Sequence, residues 1–318
     1  MESDNILIAG LGNIGRRYLE GLANSRSGYT LHLLEKNKKK INELQEYLNK
    51  KKFNNQILVY SNPNLLPKKI YLSINSTTAN CRVEVLKSII KNRFVKFWIF
   101  EKPLGQSLSD INYFNKKLFK KNSWVNLPRT NFKHYKIIKN LLKNEKVVKL
   151  EVSGNNWGLC CNGIHFIYLF SWLLNSELKT IDFSKLNKWR KTKRKSFWEI
   201  DGILNLKFKN KIEGVLKATL NQKERKSCSL TIFTKKKKYF LNEITNKLFI
   251  NGKLKMSGIS KPLISNTISK TLIDLKKENK CNLPSVYSTL NHHSLFLKGL
   301  IKNWRVSSKS NKNIVPIT

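Results

Sequence analysis

Residues 6–15 read Ile-Leu-Ile-Ala-Gly-Leu-Gly-Asn-Ile-Gly, a short apolar run that leads directly into the pattern Gly-x-Gly-x-x-Gly. A helical pattern follows at once, because Ile14, Tyr18 and Leu22 recur at a spacing that places them on one helix face. A strand, a tight turn and a helix in this order form the context in which such glycines bind a dinucleotide. The stretch therefore predicts that the chain opens with a dinucleotide-binding domain.

The three glycines have different predicted tasks. Gly10 makes the tight turn, Gly12 lets the backbone come close to a pyrophosphate, and Gly15 lets helix and strand pack closely. Asn13 and Ile14 start the helix, whose unpaired N–H groups and partial positive charge attract phosphates. We predict that these five residues bind the cofactor; an ordinary strand–turn–helix without a ligand is the alternative.

A carboxylate marks the end of the second predicted strand. Glu35 follows the run 30–34 and lies twenty residues past Gly15. At this distance an acid accepts hydrogen bonds from the ribose hydroxyls of NAD and repels the 2′-phosphate of NADP. Lys36 and the run 38–40 follow directly and offset that repulsion. NAD is therefore the predicted cofactor, and NADP stays an alternative.

The first 126 residues alternate between strand and helix patterns, which predicts a doubly wound parallel sheet. Ligands bind at the carboxyl ends of the strands in such a sheet. Asn75 and Ser76 follow the fourth predicted strand, and Glu101 and Lys102 follow the fifth, so these four residues are predicted to line the cofactor site. The strands predicted after Glu35 are residues 57–60, 70–74, 95–100 and 124–126.

The second half of the chain follows a different pattern. After a strand at 147–152 and a loop rich in Gly and Asn, an apolar helix is predicted from Ile164, and period-two alternation then takes over. Alternating strands of this kind imply a mostly antiparallel sheet. We predict an α/β Rossmann domain at 1–126, an α+β domain with a mostly antiparallel open sheet at 127–305, and a loose tail at 306–318.

The formal net charge of +41 would suggest a nucleic-acid partner, but the composition argues against one. The chain has 51 Lys and only 10 Arg, together with 38 Asn and only 4 Ala. This bias is typical of an AT-rich coding sequence, and the Lys residues are scattered without an Arg-rich arm. Nucleic acid is therefore not a predicted partner, although the net field attracts anionic ligands at low salt.

Cysteine usage and hydropathy indicate a soluble, cytoplasmic protein. The five cysteines form no Cys-x-x-Cys pair, and an odd number without framework spacing indicates reduced thiols. The first residues are polar and lead directly into a strand, so they predict no signal peptide. The longest apolar stretch, residues 164–174, is about half a membrane span, and no membrane partner is predicted.

Three motifs together resemble one family of enzymes. The glycine pattern at 10–15, the triplet Glu101-Lys102-Pro103 and the segment 157–165 occur in the order and spacing of the Gfo/Idh/MocA oxidoreductases. The resemblance implies an NAD(P)-dependent oxidoreductase that transfers a hydride between nicotinamide and a hydroxyl or carbonyl of a sugar or nucleotide-sugar. It also implies a homodimer or homotetramer, and a weaker likeness points to relatives in surface-polysaccharide biosynthesis.

The resemblance also assigns the catalytic residues. Lys102 matches the family's lysine beside the nicotinamide and the reacting hydroxyl, and the peptide before Pro103 is often cis in relatives. His165 matches the histidine that serves as acid and base. The chemistry requires such groups, because a hydride leaves a carbinol carbon only as its O–H proton is taken. A neighbouring ammonium stabilises the developing alkoxide.

The sequence departs from the family around this histidine. Cys161 stands where the family has an aspartate, and Tyr168 replaces the usual aspartate three residues after the histidine. The carboxylate that would orient the imidazole is therefore missing, and Cys161 is at best a weak substitute. Four residues are predicted to bind substrate. They are Cys161, Arg129 through an anionic group, Trp157 by stacking on a sugar ring, and Asn162 through its amide.

Several alternatives stay open. The missing carboxylate favours a non-catalytic NAD(P)-binding sensor or regulator of the same fold. Without the motifs, His165 could be interpreted as a partly buried packing residue at the start of an apolar helix. Lys102 could likewise be interpreted as a solvated lysine. Cys160, Cys161 and His165 are not predicted to bind a metal, since adjacent cysteines chelate poorly on a helix and no fourth ligand is evident.

Overall fold

The structure is a computed structural model that describes residues 4–23, 25, 28–118, 122–221 and 223–318. Contacts divide the chain into two compact units. The first unit comprises Met1–Gly105, Asn112–Asn126 and Pro262–Ser288, and the second comprises Gln106–Ile111, Leu127–Lys261 and Thr289–Thr318. No helix within the described ranges is long and apolar enough to cross a membrane.

The helices and strands follow one another in chain order. The elements of the first half are β1 (Asp4–Ala9), α1 (Asn13–Ala23), β2 (Tyr29–Leu34), α2 (Lys38–Asn49), β3 (Gln56–Tyr60), β4 (Lys69–Asn75), α3 (Ala79–Ile90), β5 (Phe94–Phe100), α4 (Leu108–Leu118), β6 (Ser123–Val125), α5 (Lys133–Leu141) and β7 (Val147–Asn155). The elements of the second half are α6 (Leu159–Leu174), β8 (Leu178–Leu186), β9 (Arg190–Lys191), β10 (Trp198–Glu199), β11 (Gly202–Phe208), β12 (Glu213–Thr219), β13 (Ser229–Thr234), β14 (Lys238–Asn242), β15 (Lys247–Ile250), β16 (Lys253–Met256), α7 (Ile264–Glu278) and α8 (Val286–Ser308). Short 3₁₀ helices lie at Pro63–Leu65, Pro128–Asn131 and Leu142–Asn144.

The first unit is built on a six-stranded sheet whose neighbouring strands all run parallel. The strand order is β3-β2-β1-β4-β5-β6. All of β2 and the last four residues of β1 are buried, as expected of strands that helices cover on both faces. The predicted doubly wound sheet is confirmed, and its strand order reverses between β1 and β4.

The N-terminus of α4 is capped by the residues whose spacing predicts a capping box. The Oγ of Ser107 accepts a hydrogen bond from the N–H of Asp110 (3.1 Å). In return, Asp110 Oδ2 accepts from the N–H groups of Ser107 (3.0 Å) and Gln106 (2.8 Å). The helix therefore begins where its own side chains satisfy the first unpaired N–H groups.

A helix late in the chain belongs to the first unit. α7 packs on α1, and a Cβ on Gly21 of α1 would collide with the backbone of α7. From α7, Ile268 and Leu272 enter the apolar core beside the six-stranded sheet. The sequence predicts a continuous second domain over 127–305. Residues 262–288 instead group with the first unit, because α7 buries its apolar face there.

The second unit is built on an eight-stranded sheet of order β16-β15-β14-β13-β7-β12-β11-β8. Its neighbouring strands are antiparallel, with the exception of the parallel pair β7 and β12. The predicted open, mostly antiparallel sheet is confirmed. α6 covers one face, where the ring of Phe170 lies so close to Gly214 of β12 that a Cβ there would meet it at 2.7 Å.

The opposite face of this sheet, here called the open face, carries a row of half-buried side chains. Residues that pair across neighbouring strands form the row, so they share one face by register. Along each strand the side chains alternate between the two faces, so these residues lie opposite the buried ones. The row is Val215, Glu151, Thr231, Phe240 and Phe249.

The end of the chain packs into the second unit instead of forming the loose tail predicted for 306–318. α8 continues to Ser308. The side chains of Val315 and Ile317 are fully buried. The N–H of Val315 donates to the carbonyl of Gln106 (3.0 Å). Two apolar residues in a short polar segment form no periodic pattern, so their burial could not be predicted from the sequence.

Two buried histidines make the folded protein less stable at acid pH. Burial lowers the pKa of His32 in β2 and of His134 in α5 from 6.5 to about 4. Because the folded pKa is below the unfolded one, the contribution is fully present above pH 6.5 and is lost as the pH falls toward 4. We expect each histidine to lower the free energy of unfolding by about 3 kcal/mol over this range. Denaturant unfolding at a series of pH values measures the loss, and His134→Phe should reduce it; an unchanged pH dependence in that variant would contradict the assignment.

Candidate functional site

The loop between β1 and α1 requires glycine at two positions. Gly10 has a φ of +87°, in the left-handed region that favours glycine, and a Cβ there would meet Thr77 at 2.8 Å. A Cβ on Gly15 would collide with the carbonyl oxygen of Gly10. The turn and the close packing of α1 thus account for these two glycines, as the motif predicts.

Gly12 differs from Gly10 and Gly15, because no packing contact among the described residues requires a glycine at this position. In the described part of the chain, no atom lies within 4 Å of the position that a Cβ on Gly12 would take. The residue precedes Asn13 and Ile14, whose N–H groups belong to the first turn of α1 and have no intrahelical partners. A helix N-terminus beside open space is suited to a phosphate. The motif places a pyrophosphate there, which would explain a glycine that packing does not.

Glu35, at the carboxyl end of β2, holds the glycine loop. Its Oε2 accepts a hydrogen bond from the N–H of Leu11 (2.9 Å), and its Oε1 accepts from the N–H groups of Lys36 and Asn37 (3.1 Å each). Lys40 Nζ lies 3.8 Å from Oε2. A carboxylate has about four acceptor sites and three N–H groups occupy three of them, so about one site remains for a ribose hydroxyl.

Asn75 and Ser76, at the carboxyl end of β4, support the loop through their side chains. Asn75 is fully buried; its Oδ1 accepts from the hydroxyl of Thr77 (2.6 Å), and its amide donates to the carbonyl of Arg82 (3.1 Å). The hydroxyl of Ser76 donates to the carbonyl of Gly10 (2.7 Å). Both side chains thus bind the protein itself, and their contact with a cofactor stays a prediction.

The Glu101-Lys102-Pro103 segment follows β5 and is held in place by buried hydrogen bonds. Oε1 of the buried Glu101 accepts from the hydroxyl of Tyr18 (2.8 Å) and from the amide of Asn126 (2.6 Å). Burial and the charge of Glu101 raise the pKa of Tyr18 well above its usual value, so Tyr18 donates as a neutral phenol. The Lys102–Pro103 peptide is cis, as the resemblance implies. Contact of Glu101 with a cofactor stays a prediction.

Arg82 in α3 is a second support for this segment, and the sequence analysis missed it. Its side chain is 2% exposed, and its guanidinium donates to the carbonyls of Pro103 and Thr77. It thereby joins the loops after β4 and β5, next to the half-buried Lys102. A signal was present: Arg82 precedes Val83 on the buried side of a helix, where an arginine needs partners.

The helix that carries His165 begins earlier than predicted. α6 starts at Leu159 rather than at Ile164, and Gly158 precedes it with a φ of +78°. His165 therefore lies in the second turn of α6, where it is 8% exposed. Local sequence does not reveal this start, because the cap comes from a distant residue.

That cap is Glu199, at the end of β10. Its Oε1 accepts from the N–H of Cys160, and its Oε2 accepts from the N–H of Cys161 (3.3 Å). Burial raises the pKa of the Glu199 carboxyl, and burial together with the Glu199 charge raises the pKa of the Cys160 thiol. A carboxyl group thus lies at the end of α6 where Cys161 replaces the family aspartate, one helical turn before His165.

The second departure from the family has a packing role. The ring of Tyr168 meets the imidazole of His292 edge to face, with 5.3 Å between the ring centres. Tyr168 therefore connects α6 to α8. Within the described residues, no group of three His, Cys, Asp or Glu side chains is placed to hold a metal ion.

Three of the four predicted substrate residues line one cavity in the second unit. The cavity has a volume of about 110 Å³, and Arg129, Trp157 and Asn162 form part of its wall. Cys161 lies instead beside Glu199. The remaining lining residues are Phe166, Lys226, Cys228, Glu243, Ile244 and Lys261.

Trp157 anchors the loop before α6 rather than offering a ring face to a sugar. Its side chain is 2% exposed, its Nε1 donates to the carbonyl of Lys217 (3.0 Å), and its ring meets Phe166 edge to face. The amide of Asn162 donates to the carbonyl of Trp157 (2.5 Å). Stacking would need an exposed ring, so the predicted sugar contact of Trp157 does not agree with its burial.

Arg129 lies between an aromatic ring and a buried acid. Its guanidinium carbon is 4.2 Å from the centre of the Phe166 ring, and its Nε is 3.6 Å from Oε1 of Glu243. Lys261 Nζ lies 2.7 Å from Oε2 of Glu243, and the hydroxyl of Tyr135 donates to Oε1. One carboxylate thus collects two cations and a phenol at the wall of the cavity.

No protein-family model matches the sequence, and no curated protein sequence matches it. Solved structures, in contrast, match over nearly the whole chain. A dehydrogenase from Clostridium difficile is 18% identical, with 95% of this chain and 100% of that chain covered and a TM-score of 0.68.

Two further structures carry more specific names. A myo-inositol dehydrogenase from Lactobacillus casei, solved in complex with NAD(H) and myo-inositol, is 15% identical, with 98% of this chain and 96% of that chain covered and a TM-score of 0.69. A UDP-N-acetylglucosamine 3-dehydrogenase from Acidithiobacillus ferrooxidans is 11% identical, with 96% and 98% covered and a TM-score of 0.72. At such identities the likeness establishes the fold. The chain therefore has the fold of the Gfo/Idh/MocA-type dehydrogenases, which confirms at the level of the fold the resemblance that its three motifs carry.

Proposed function

We propose that the protein is an NAD(P)-dependent oxidoreductase that transfers a hydride between nicotinamide and a hydroxyl or carbonyl of a sugar or nucleotide-sugar. One observation carries the proposal. The glycine loop lies at the carboxyl end of β1, where the strand order reverses. It is tightly packed at Gly10 and Gly15, and it leaves free space beside Gly12. The solved dehydrogenases of the same fold support it, one of them in complex with NAD(H) and an inositol.

The residues of the first unit fit a nicotinamide dinucleotide. Gly12 leaves room for the pyrophosphate, the start of α1 supplies N–H groups and positive potential, and Glu35 offers an acceptor for the ribose. When bound, the nicotinamide supplies or accepts the hydride. We propose NAD as the cofactor because of Glu35; NADP stays the alternative because Lys36 and Lys40 lie beside that carboxylate.

Two side chains would carry the charge and the proton. The residues on either side of Lys102 are held by buried hydrogen bonds, Glu101 by Asn126 and Pro103 by Arg82. The ammonium of Lys102 would stabilise an alkoxide on the substrate.

His165 would take the hydroxyl proton during oxidation and return it during reduction. Glu199 supplies a carboxyl group at the N-terminus of α6, beside Cys161, which stands where the family has an aspartate.

The second candidate is an NAD(P)-binding sensor or regulator without catalysis. Cys161 and Tyr168, which replace two family aspartates, are the residues that favour it. A sensor would bind NAD(H) with the same loop but would turn over no member of a panel of sugars and nucleotide-sugars. The two candidates therefore differ in turnover and agree in binding.

The decisive experiment is calorimetric titration with NAD⁺ and NADH. We expect binding in the wild type and at least about tenfold weaker binding in Gly12→Ala, since the new methyl group would occupy the space for the pyrophosphate. Gly28→Ala is the matched control, because a Cβ at Gly28 also meets no described atom within 4 Å. Both variants should keep the melting temperature. Absence of binding in the wild type would overturn the proposal.

The choice between NAD and NADP is tested at Glu35. Glu35→Gln should weaken NAD⁺ binding about tenfold, because a charge-assisted hydrogen bond to the ribose is lost. It should weaken NADP⁺ binding less, since the repulsion of the 2′-phosphate disappears as well. Glu46→Gln, at an exposed residue further along α2, gives the same charge change without a contact to the glycine loop. Equal losses for both cofactors in Glu35→Gln would contradict this role.

The remaining expectations concern partners and compartment. The open face, with Val215, Phe240 and Phe249 in its row, would pair subunits into the homodimer or homotetramer that the resemblance implies. A role in polysaccharide biosynthesis, a cytoplasmic location and the absence of a nucleic-acid partner likewise stay predictions.

A further inference from the structure

We propose that the cavity of about 110 Å³ formed by Arg129, Lys226 and Lys261 binds an oxyanion of the substrate, so that the substrate is a sugar acid or a sugar phosphate. The inference rests on the proposed function and names the substrate class of the same site.

The charges around the cavity do not balance. Three cationic residues and one acid, Glu243, form part of its wall. Glu243 is 3% exposed, is hydrogen-bonded by Lys261 and Tyr135, and lies 3.6 Å from Arg129 Nε. A single carboxylate neutralises one positive charge, so the wall carries an excess of two positive charges. Arg129 and Lys261 are half-buried and share this one counter-charge, and the exposed Lys226 adds to the positive potential, so the wall favours an anionic ligand.

The surroundings strengthen that attraction. Trp157 and Phe166 supply apolar wall, which lowers the local dielectric and increases the energy of a charge pair. The guanidinium carbon of Arg129 lies 4.2 Å from the centre of the Phe166 ring, a cation–π contact that restrains the side chain. A planar guanidinium presents its N–H groups along its edges in the geometry that carboxylate and phosphate accept in pairs.

The cavity is large enough for the proposed group. Its volume of about 110 Å³ is several times what one water molecule needs. A carboxylate or phosphate group therefore fits this space.

The position of the cavity relates the anion to the reacting group. Asn162 lines the cavity, and His165 lies three residues further along α6. Side chains at this spacing are neighbours on one helix surface, with about 5–6 Å between their Cβ atoms. One sugar ring carrying an acidic group and a reacting hydroxyl spans such a distance.

The test is calorimetric titration with glucuronate, a glucose phosphate and glucose at fixed ionic strength, with and without saturating NAD⁺. We expect at least one of the two anions to bind. Neutral glucose should bind about tenfold more weakly than that anion. Preference for glucuronate identifies a carboxylate site, and preference for the glucose phosphate identifies a phosphate site. Absence of binding by both anions, or equal binding of glucose, would overturn the inference.

Variants distinguish anion binding in the cavity from attraction by the overall net charge of +41. Arg129→Gln should weaken anion binding about tenfold and Lys226→Gln about threefold. Lys223→Gln changes an exposed lysine in the same loop, outside the cavity wall, and should have no effect. Equal losses in Lys223→Gln and Lys226→Gln would assign the binding to the general field and overturn the inference. Lys226 is exposed, so its variant remains informative should Arg129→Gln fail to fold.

The outcome is distinguishable from failure of the proposed function. Titration with NAD(H) alone tests the oxidoreductase, and the arm without nucleotide tests the cavity. Normal NAD(H) binding without anion binding would overturn the substrate class and leave the oxidoreductase in place.

Discussion

Lys102→Ala is expected to lower kcat about a thousandfold while NAD(H) binding persists. The reason is that its ammonium would stabilise charge that develops on the substrate oxygen only during the reaction. The backbone around Lys102 is held by other residues: Tyr18 and Asn126 bind Glu101, and Arg82 binds the carbonyl of Pro103. The variant should therefore keep the fold of the segment and lose only the ammonium.

The measurement is the absorbance of reduced nicotinamide during turnover of a panel of sugars, sugar acids and nucleotide-sugars. Lys68→Ala is the matched control, because Lys68 is exposed before β4 in the same unit. Turnover by Lys102→Ala at the wild-type rate would refute the catalytic role of this lysine. Binding of NAD(H) without turnover by the wild type on every member of the panel would favour the sensor.

His165→Asn is expected to lower kcat about a hundredfold and to remove the ionisation of the base from the pH–rate profile. Asparagine retains a polar side chain of similar size in the second turn of α6 but cannot take up a proton at neutral pH. A purely structural role of His165 would lower the melting temperature and leave the shape of the pH–rate profile unchanged. The pH dependence therefore separates catalysis from packing.

His292→Asn provides the control for disturbance of the same helix. The Nε2 of His292 lies 2.8 Å from the hydroxyl of Ser171 in α6. The same substitution therefore perturbs α6 from α8 without removing the proposed base. We expect a smaller change in kcat and an unchanged pH–rate profile. If both variants altered the profile equally, the assignment of His165 as the base would be wrong.

The dinucleotide loop could be predicted from sequence because its constraints are local. Gly10 is required by its positive φ, and Gly15 is required because a Cβ there would collide with the carbonyl oxygen of Gly10, five residues earlier. The capping box of Ser107 and Asp110 is equally local, since both partners lie within one turn. Apolar runs alternating with amphipathic helices were sufficient to predict the parallel sheet.

The early start of α6 and the support of Lys102 could not be predicted in the same way. Glu199 caps α6 from a strand that lies almost forty residues further along the chain. Arg82 reaches the carbonyl of Pro103 from α3. In both cases a polar group satisfies a partner that is remote in sequence, and no periodic pattern records such a pairing.

The amino-acid sequence by itself indicated the fold class and the glycine loop with Glu35, because these depend on short-range spacing, whereas the roles proposed for Lys102 and His165 come from the resemblance to the family. Tertiary structure alone decided that α7 covers the first sheet, that β7 and β12 run parallel, and that Arg129, Lys226, Glu243 and Lys261 share one cavity wall. Those features depend on which distant segments come together to bury apolar surface and to pair charges. A local sequence pattern does not show which segments those are.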